Sequence, residues 1–269
     1  MFENALLTTE EMYRADQMTI ESGVPSIVLM ENAALAVVEE IQSQYAPKKV
    51  TVFCGPGNNG GDGFAIARLL EEMGIATNVL FFGDLKRTSN DCAINLNRWH
   101  KKIFPCIIES IHDADLFVDA IFGAGLSKDL APELQKFISF INQLDTPVLS
   151  VDVPSGIDAN TGEIRGICFK ADSCVSFFRP KPAHFLLPSK KMCGTIIIKD
   201  IGINKAVLED IKPTNQLNKP AHLFPFPELE THKFQRGHGV IITGDTMTGA
   251  SRLAAITARR VGLGLLTLQ

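Results

Sequence analysis

The richest concentration of chemically useful residues is a nine-residue segment with the sequence GPGNNGGDG at 55–63. It lies between an apolar run typical of a strand and a periodic apolar segment typical of a helix. Glycines let a backbone approach a ligand closely, and a helix N-terminus presents free N–H groups and the positive end of its dipole. Asn58, Asn59 and Asp62 add side-chain oxygens that a plain dinucleotide-binding turn does not need. The segment is therefore suited to a phosphate-bearing ligand, with amide and carboxyl groups added.

Taken alone, this segment leaves several functions open. It contains a formal G-x-G-x-x-G pattern at Gly55, Gly57 and Gly60, with Asp84 after the next strand as a candidate ribose acceptor, so a nicotinamide-dependent dehydrogenase is one interpretation. The Lys-Ser/Thr ending of a P-loop is missing, which disfavours nucleotide hydrolysis. A structural interpretation also exists, in which the segment is a tight turn and Asp62 caps the following helix.

Two further segments place an acidic residue where an apolar run ends and a turn begins. They are VDAIFGAGL at 118–126 and VDVPSGID at 151–158. Open α/β sheets bind ligands at the carboxyl ends of their strands, although an acid such as Asp119 can also cap a turn. If the strands are neighbours, Asn59, Asp119, Asp152 and Ser155 converge. Carboxylate, amide and hydroxyl oxygens without His or Cys suit a hard cation rather than a transition metal.

Few other side chains stand out. The histidines show no paired-ligand spacing, and His184 is expected to be structural or solvated. Lys181, close to Arg179, is a candidate phosphate contact. Hydrolysis by a Ser-His-Asp triad is disfavoured because no G-x-S-x-G elbow is present.

The elements that must position these residues alternate along the chain. Short apolar runs, typical of buried parallel strands, are separated by longer helical patterns. The predicted strands lie at 49–54, 77–82, 105–108, 116–122, 147–153, 173–178 and 194–199. The predicted helices lie at about 8–23, 26–45, 63–73, 89–100 and 132–144. This alternation predicts an α/β fold, a Rossmann-like three-layer sandwich with a mostly parallel central sheet.

Composition excludes several classes of protein. The 269 residues carry 26 Lys+Arg and 30 Asp+Glu, for a formal net charge of −4, and 45% are hydrophobic. A mildly acidic balance argues against nucleic-acid binding driven by bulk charge. No apolar stretch reaches the roughly 18 residues that a membrane-spanning helix needs. The sequence starts without a secretory signal, and its six cysteines form no C-x-x-C pair, so we expect a cytoplasmic protein with reduced thiols.

Five ordered motifs resemble one known family. They are ADQMTIESGVPSIVLMENAA at 15–34, GPGNNGGDG at 55–63, VDAIFGAGL at 118–126, VDVPSGID at 151–158 and KDIGI at 199–203. Together they look like the YjeF N-terminal domain, which is the NAD(P)H-hydrate epimerase. The resemblance covers about residues 5–210 and implies conversion of the (R) hydrate of NADH or NADPH to the (S) form. Ala183 and Ser189 stand where this family often has Gly, so a loop near the site is expected to differ.

The resemblance also implies roles for particular residues. The residues implied to contact the hydrated dinucleotide are Asn58, Asn59, Gly60, Gly61, Asp62, Gly123, Ala124, Gly125, Leu126, Ser127, Lys128, Asp129 and Asp152. Those implied as ligands of a potassium ion (K+), the expected cofactor, are Asn59, Asp119 and Ser155. We expect Asp152 to act as acid or base, because inverting a carbinolamine carbon requires proton transfer near that centre. Ring opening, water loss and direct proton abstraction all stay open.

The end of the chain resembles a second domain. A proline-rich segment at 212–235 predicts a linker, and the residues from RGHGVIITGD at 236–245 onward resemble the start of the ribokinase-like NAD(P)H-hydrate dehydratase. We therefore expect an epimerase domain at 1–211 and the incomplete start of a dehydratase domain at 236–269, without dehydratase activity. An isolated strand–helix–strand piece leaves apolar faces uncovered, so residues after about 235 are expected to be poorly ordered, self-associating or packed onto the first domain.

Two other functions remain as alternatives to the epimerase. The first is a non-catalytic nucleotide- or RNA-binding scaffold module of the same fold, against which the intact Asn59, Asp119, Asp152 and Ser155 argue. The second is the dehydrogenase, for which the segment at 55–63 carries too many amides and no hydride-site His or Tyr-Lys pair is evident. A homodimer and the preference between NADH and NADPH hydrates both stay open.

Overall fold

The computed structural model describes residues 2–218, 230–246 and 248–269. The chain divides into two compact units, Met1–Leu217 and Asn218–Gln269. Within the described ranges, no helix is both long enough and apolar enough to cross a membrane. The candidate site residues from the sequence all belong to the first unit.

The first unit is built on a seven-stranded sheet. The strands of this unit are β1 (Ala5–Leu6), β2 (Lys49–Cys54), β3 (Ala76–Phe81), β4 (Ile103–Pro105), β5 (Leu116–Ala120), β6 (Val148–Val151), β7 (Ser173–Phe177), β8 (Thr195–Lys199) and β9 (Asn215–Gln216). The large sheet has the order β4-β3-β2-β5-β6-β7-β8, and each neighbouring pair in it is parallel. Its central strands are buried because layers of helices cover both faces. The predicted Rossmann-like α/β architecture is confirmed.

Helices cover the two faces of the sheet unequally. They are α1 (Thr9–Glu21), α2 (Ser26–Gln44), α3 (Asn58–Glu72), α4 (Asn90–Arg98), α5 (Pro132–Ile141) and α6 (Val207–Ile211). The core on one face contains side chains of α1, α2, α3, α4 and α6, whereas the core on the other face contains those of α5. The predicted start of α1 is confirmed, since Thr8 and Glu11 form a reciprocal capping box.

Two elements differ from the prediction. Helix α3 begins at Asn58, five residues before the expected position 63, because extended Gly57 is its N-cap. The alternative in which Asp62 caps this helix is therefore wrong. The edge strand expected at 105–108 lies instead at Ile103–Pro105, as β4. It ends there because the Ile107 N–H donates back to the Pro105 carbonyl at 2.9 Å.

The first unit extends past the expected boundary at 211. Strand β9 pairs antiparallel with β1, and the Leu217 N–H donates to the Asn4 carbonyl at 2.8 Å. Residues 212–217 therefore belong to the first unit. Residues 219–229 of the expected linker lie outside the described residues.

The second unit contains the expected strand, helix and strand. These are β10 (His238–Ile241), α7 (Gly249–Val261) and β11 (Leu265–Leu268), and the two strands are parallel. Large apolar side chains such as Ile242 and Leu253 are exposed. The expectation that residues after about 235 are poorly ordered, self-associating or packed onto the first domain stays a prediction.

Candidate active site

The sheet order brings three segments of the predicted site together. Asp119 lies in β5 opposite Ser150 of β6, and Asp152 follows the last residue of β6 directly. The N-terminus of α3 follows β2, the neighbour of β5 on its other side. Because these strands are neighbours, the segments that carry Asn59, Asp119 and Asp152 lie together, as expected.

Asp119 is fully buried and is held by two serines. Its Oδ2 accepts from the Ser150 hydroxyl at 2.9 Å and from the Ser155 N–H at 2.7 Å, while its Oδ1 accepts from the Ser155 hydroxyl at 2.5 Å. Burial raises the pKa of Asp119 to about 6, although these hydrogen bonds oppose the rise. In the described part of the chain Asp119 has no ion-pair partner. A bound cation would supply the missing positive charge.

The carboxylate of Asp152 forms a buried ion pair with Lys181. Lys181 Nζ lies 2.5 Å from Oδ1 of Asp152, and the two side chains are only 2% and 13% exposed. The Ser176 hydroxyl donates to the same Oδ1 at 3.0 Å, and the Ala124 N–H donates to Oδ2 at 2.9 Å. Burial alone would raise the pKa of Asp152, but the charge and hydrogen bond of Lys181 hold that pKa below its ordinary value. Asp152 is therefore ionised at neutral pH.

His184 fixes the backbone around this ion pair. Its Nδ1 accepts from the Lys181 N–H at 3.0 Å, so its Nε2 carries the proton and donates to the Asp152 carbonyl at 2.9 Å. Burial, assisted by the charge of Lys181, lowers the pKa of His184 to about 4. The neutral ring holds Asp152, whose φ is +68°, in the left-handed region. The expectation that His184 is structural is confirmed.

Lys181 does not lie where the sequence predicts. It was expected as a phosphate contact, but its ammonium group is buried against Asp152 and also donates to Ser176 at 2.9 Å. Lys is seldom buried without a partner, and nothing in the residue types at 179–184 distinguishes a buried Lys from an exposed one. Only the pairing of β6 with β7 brings it to Asp152.

Asn59 reaches the same place from α3. A Cβ on Gly123 would lie 3.0 Å from Oδ2 of Asp152 and 3.1 Å from Oδ1 of Asn59, so both oxygens flank Gly123. Among the described residues, the buried Nδ2 of Asn59 has no hydrogen-bond partner. An amide in this position can turn its oxygen or its nitrogen toward a ligand.

Asp62 lies one turn further along α3. No hydrogen bond or ion pair reaches its carboxyl group from the described residues. Burial raises the pKa of Asp62 well above its ordinary value, and the charges of Asp152 and Asp16 raise it further. This shift favours the neutral form of the carboxyl group, which is a hydrogen-bond donor.

The loop at 123–129 is only partly brought into the site. Gly123 and Ala124 contact Asp152, and Leu126 is half-buried. The remaining members of the predicted set are exposed, namely Gly125, Ser127, Lys128 and Asp129. They border the site without reaching the Asp152 carboxylate.

The two departures from the family pattern contact each other. Ala183 is buried, and the Ser189 hydroxyl donates to its carbonyl at 2.5 Å. The Ala183 N–H donates to the Ala159 carbonyl at 3.0 Å. The loop therefore closes by a side-chain hydrogen bond next to His184.

The donor set around Asp119 fits a potassium ion. It offers the carboxylate of Asp119, the hydroxyl of Ser155 and the Asn59 amide, and the Phe122 carbonyl lies 3.0 Å from Ser155 Oγ. All are oxygen donors of the kind that hard cations prefer. The uncompensated charge of Asp119 is the feature that a cation would satisfy, with the amide oxygen of Asn59 turned toward it.

Comparisons with known proteins identify relatives of this chain. Residues 26–183 match the family described as YjeF-related protein N-terminus. The NAD(P)H-hydrate epimerase of Weissella koreensis is 42% identical over 212 residues, which cover 77% of this chain and 96% of the relative. The bifunctional NAD(P)H-hydrate repair enzyme Nnr of Dictyoglomus turgidum is 34% identical over 98% of this chain, which spans about half (54%) of that relative's length.

A solved structure supports the fold independently. The crystal structure of yeast ynu0 superposes with a TM-score of 0.64 at 22% identity, over 79% of this chain and 96% of that protein. Because the family model matches more than half of its residues, this chain belongs to the YjeF-related N-terminal family.

Proposed function

We propose that this chain epimerises the hydrates of NADH and NADPH, converting the (R) form to the (S) form for cofactor repair. The observation that carries the proposal is the ionised, half-enclosed carboxylate of Asp152 at the meeting point of α3 and the loop at 123–129. The names of the relatives from Weissella and other bacteria support the same activity. A carboxylate kept ionised by a buried lysine can accept a proton, which epimerisation requires.

Each part of the site has a distinct task. The N-terminus of α3, with Asn58 and Gly60, presents free N–H groups and its positive dipole end to the dinucleotide phosphates. Gly61 follows them, and its own N–H donates to the Gly57 carbonyl at 3.1 Å. Asn59 and Asp62 offer hydrogen bonds beside them. The hydrate ring binds against Gly123, where the Asp152 carboxylate accepts and returns a proton close to the carbinolamine carbon. Lys181 keeps that carboxylate ionised between turnovers.

Potassium is the cofactor we propose for this site, held by Asn59, Asp119 and Ser155. When bound, the ion would compensate the buried charge of Asp119 and stiffen the contact between β5 and the loop at 153–158. Its charge would also assist the binding of an anionic dinucleotide.

The proposed potassium site predicts a stability effect without substrate. A ligand that binds only the folded state raises the melting temperature with its concentration, so potassium should raise the Tm of the wild-type chain more than sodium at equal ionic strength. Asn59→Ala should lose most of this difference, because it removes a ligand oxygen without unpairing a described group. Differential scanning fluorimetry measures the melting temperatures. If potassium raises the Tm of wild type and variant equally, relative to sodium, Asn59 is not a ligand.

The other expectations stay as proposals. We propose that residues 236–269 correspond to the start of a dehydratase domain, as supported by the alignment with the bifunctional relative over 98% of the chain. The hydrated dinucleotide is the only partner proposed, and a cytoplasmic location and a homodimer remain predictions. Nothing in the site requires nucleic acid.

A coupled assay tests the proposed activity. Pure (R)-hydrate is supplied with an excess of a separate dehydratase specific for the (S) form and with its nucleotide, in potassium buffer. We expect recovery of NADH well above the spontaneous rate when this chain is added. Recovery at the spontaneous rate, with the chain shown to be folded, would instead favour the binding-module alternative.

A further inference from the structure

Helix α1 lies against the loop at 123–129, which contacts the carboxylate of Asp152. The Thr9 hydroxyl donates to the Ala124 carbonyl at 2.9 Å, and the Ala124 N–H donates to Asp152. One turn later, the Tyr13 hydroxyl lies 3.0 Å from the position that a Cβ on Gly125 would occupy. Helix α1 therefore forms a wall of the site, although the region that matches the family begins only at residue 26.

Asp16 continues this face of α1 toward Asp152. Residues spaced by four and then three positions share one face of a helix, so Asp16 follows Thr9 and Tyr13. Its carboxyl group is partly buried and has no hydrogen bond or ion pair with the described residues. A carboxyl group that is turned from bulk solvent and left without a protein partner is available to a ligand.

The charges that face Asp16 come from several elements. They are Lys181 after β7, Asp152 after β6, Asp62 on α3 and Tyr13 on α1 itself. Helix α6 also packs against α1, and there the Arg14 guanidinium donates to the backbone carbonyl of Asp210 at 3.5 Å. Burial raises the pKa of Asp16 to about 6, with Lys181 lowering it and Asp152 raising it.

The proposed reaction needs two groups in opposite protonation states. If the ring opens, the hydroxyl loses its proton as the C–N electron pair returns to nitrogen, which must gain one. If water leaves, the hydroxyl must gain a proton as the C–O bond breaks, and the water that returns on the other face must lose one. Either route requires one donor and one acceptor, and paired carboxyl groups with separated pKa values can supply both.

We propose that Asp16 is the catalytic proton donor that works with Asp152 as the acceptor. The inference rests on the proposed epimerase function and assigns to α1 a part in catalysis. In the forward direction Asp16 protonates the departing atom, nitrogen or oxygen, and Asp152 takes the proton released from oxygen. In the ring-opening route, closure on the opposite face reverses both transfers, so each carboxyl group ends the cycle as it began. In the water-loss route, a proton must pass from Asp152 back to Asp16 through solvent before the next cycle.

The test compares Asp16→Asn, Asp16→Glu and Asp62→Asn across pH, with (R) and (S) hydrates separated by chromatography and the spontaneous rate subtracted. Because the donor must be protonated, wild-type kcat/KM should fall as pH rises through the pKa of Asp16, near 6. Asp16→Asn should lower kcat about 100-fold and abolish this alkaline limb, whereas Asp16→Glu should keep it. Glu21→Gln, at an exposed position of the same helix, is the matched control and should change kcat less than about twofold.

The outcomes separate this inference from the proposed function. An active wild type whose rate and alkaline limb survive Asp16→Asn would overturn the role of Asp16 and leave the epimerase intact. If Asp62→Asn, and not Asp16→Asn, abolishes the alkaline limb of kcat/KM, then Asp62 is the proton donor. A folded wild type without epimerase activity would overturn both. Circular dichroism and the melting temperature of each variant distinguish lost chemistry from lost folding.

Discussion

Replacing Asp152 with Asn is expected to lower the epimerisation rate by about 100-fold, because the amide cannot accept the proton from the hydrate. The amide oxygen can still accept from the Ala124 N–H, so the loop at 123–129 keeps its hydrogen bond. The loss should therefore appear in kcat more than in KM. A variant that retains most of its activity would remove Asp152 from the proton transfer.

The same substitution should also cost stability, because it leaves the ammonium of Lys181 buried without a counter-ion. Breaking a buried ion pair by removing one partner costs about 3–5 kcal/mol of unfolding free energy. The double variant Asp152→Asn with Lys181→Met should recover much of this free energy and none of the activity. Urea denaturation and the chromatographic assay measure the two effects separately, and joint recovery of stability and activity would contradict the account.

The single variant Lys181→Met tests the role of the ammonium group through the pH dependence of kcat/KM. The carboxylate of Asp152 must be ionised to accept a proton, and in the wild type Lys181 holds its pKa below the ordinary value. Without the ammonium, burial dominates and the pKa rises, so the acid limb of kcat/KM should move to higher pH. By the same linkage, the wild-type pair stabilises the fold above the unfolded-state pKa of Asp, and this contribution is lost as pH falls through the folded-state pKa.

Gly60→Ala is expected to disrupt the start of α3. A Cβ at this position would lie 1.8 Å from the Gly55 carbonyl oxygen and 2.8 Å from the Gly55 nitrogen. Because both contacts are backbone atoms, either the helix or the turn must move. We expect a loss of about 3 kcal/mol or more of unfolding free energy, together with loss of hydrate binding because the N–H groups of the first turn shift.

Gly57→Ala is the matched control for that loss. Gly57 is the N-cap of the same helix, its φ is −89°, and a Cβ there would meet nothing within 4 Å. Its cost in unfolding free energy should stay within about 1 kcal/mol. Equal denaturation midpoints for the two variants would show that close approach at Gly60 does not shape the site.

Much of the architecture could be predicted from local patterns. The alternation of short apolar runs with helical periodicity predicts the parallel sheet, since strands buried on both faces are apolar throughout. Asp119 and Asp152 were identifiable because an acid within such a run, or directly after it, has no packing role. The glycine-rich segment was assigned to the correct turn, but the pattern could not show that helix α3 already begins at Asn58, since the helix starts without a side-chain cap.

The rest of the site depends on tertiary pairing. Lys181 reaches Asp152 only because β7 lies beside β6, and a single Lys between prolines carries no local signal of burial. Asp16 sits on an amphipathic helix where acids normally face solvent. Its role follows only from the contact of Thr9 and Tyr13 with the loop at 123–129. Strands β1 and β9 have only two residues each, too few for a periodic pattern.

The most direct test starts separately from pure (R)-hydrate and pure (S)-hydrate, with the chain in potassium buffer and no dehydratase. The two forms are resolved by chromatography over time. The account predicts that both samples converge on one equilibrium ratio, faster than without protein and without formation of NADH or NADPH. Unchanged rates in both directions, with a folded chain that binds the hydrate, would contradict the epimerase assignment.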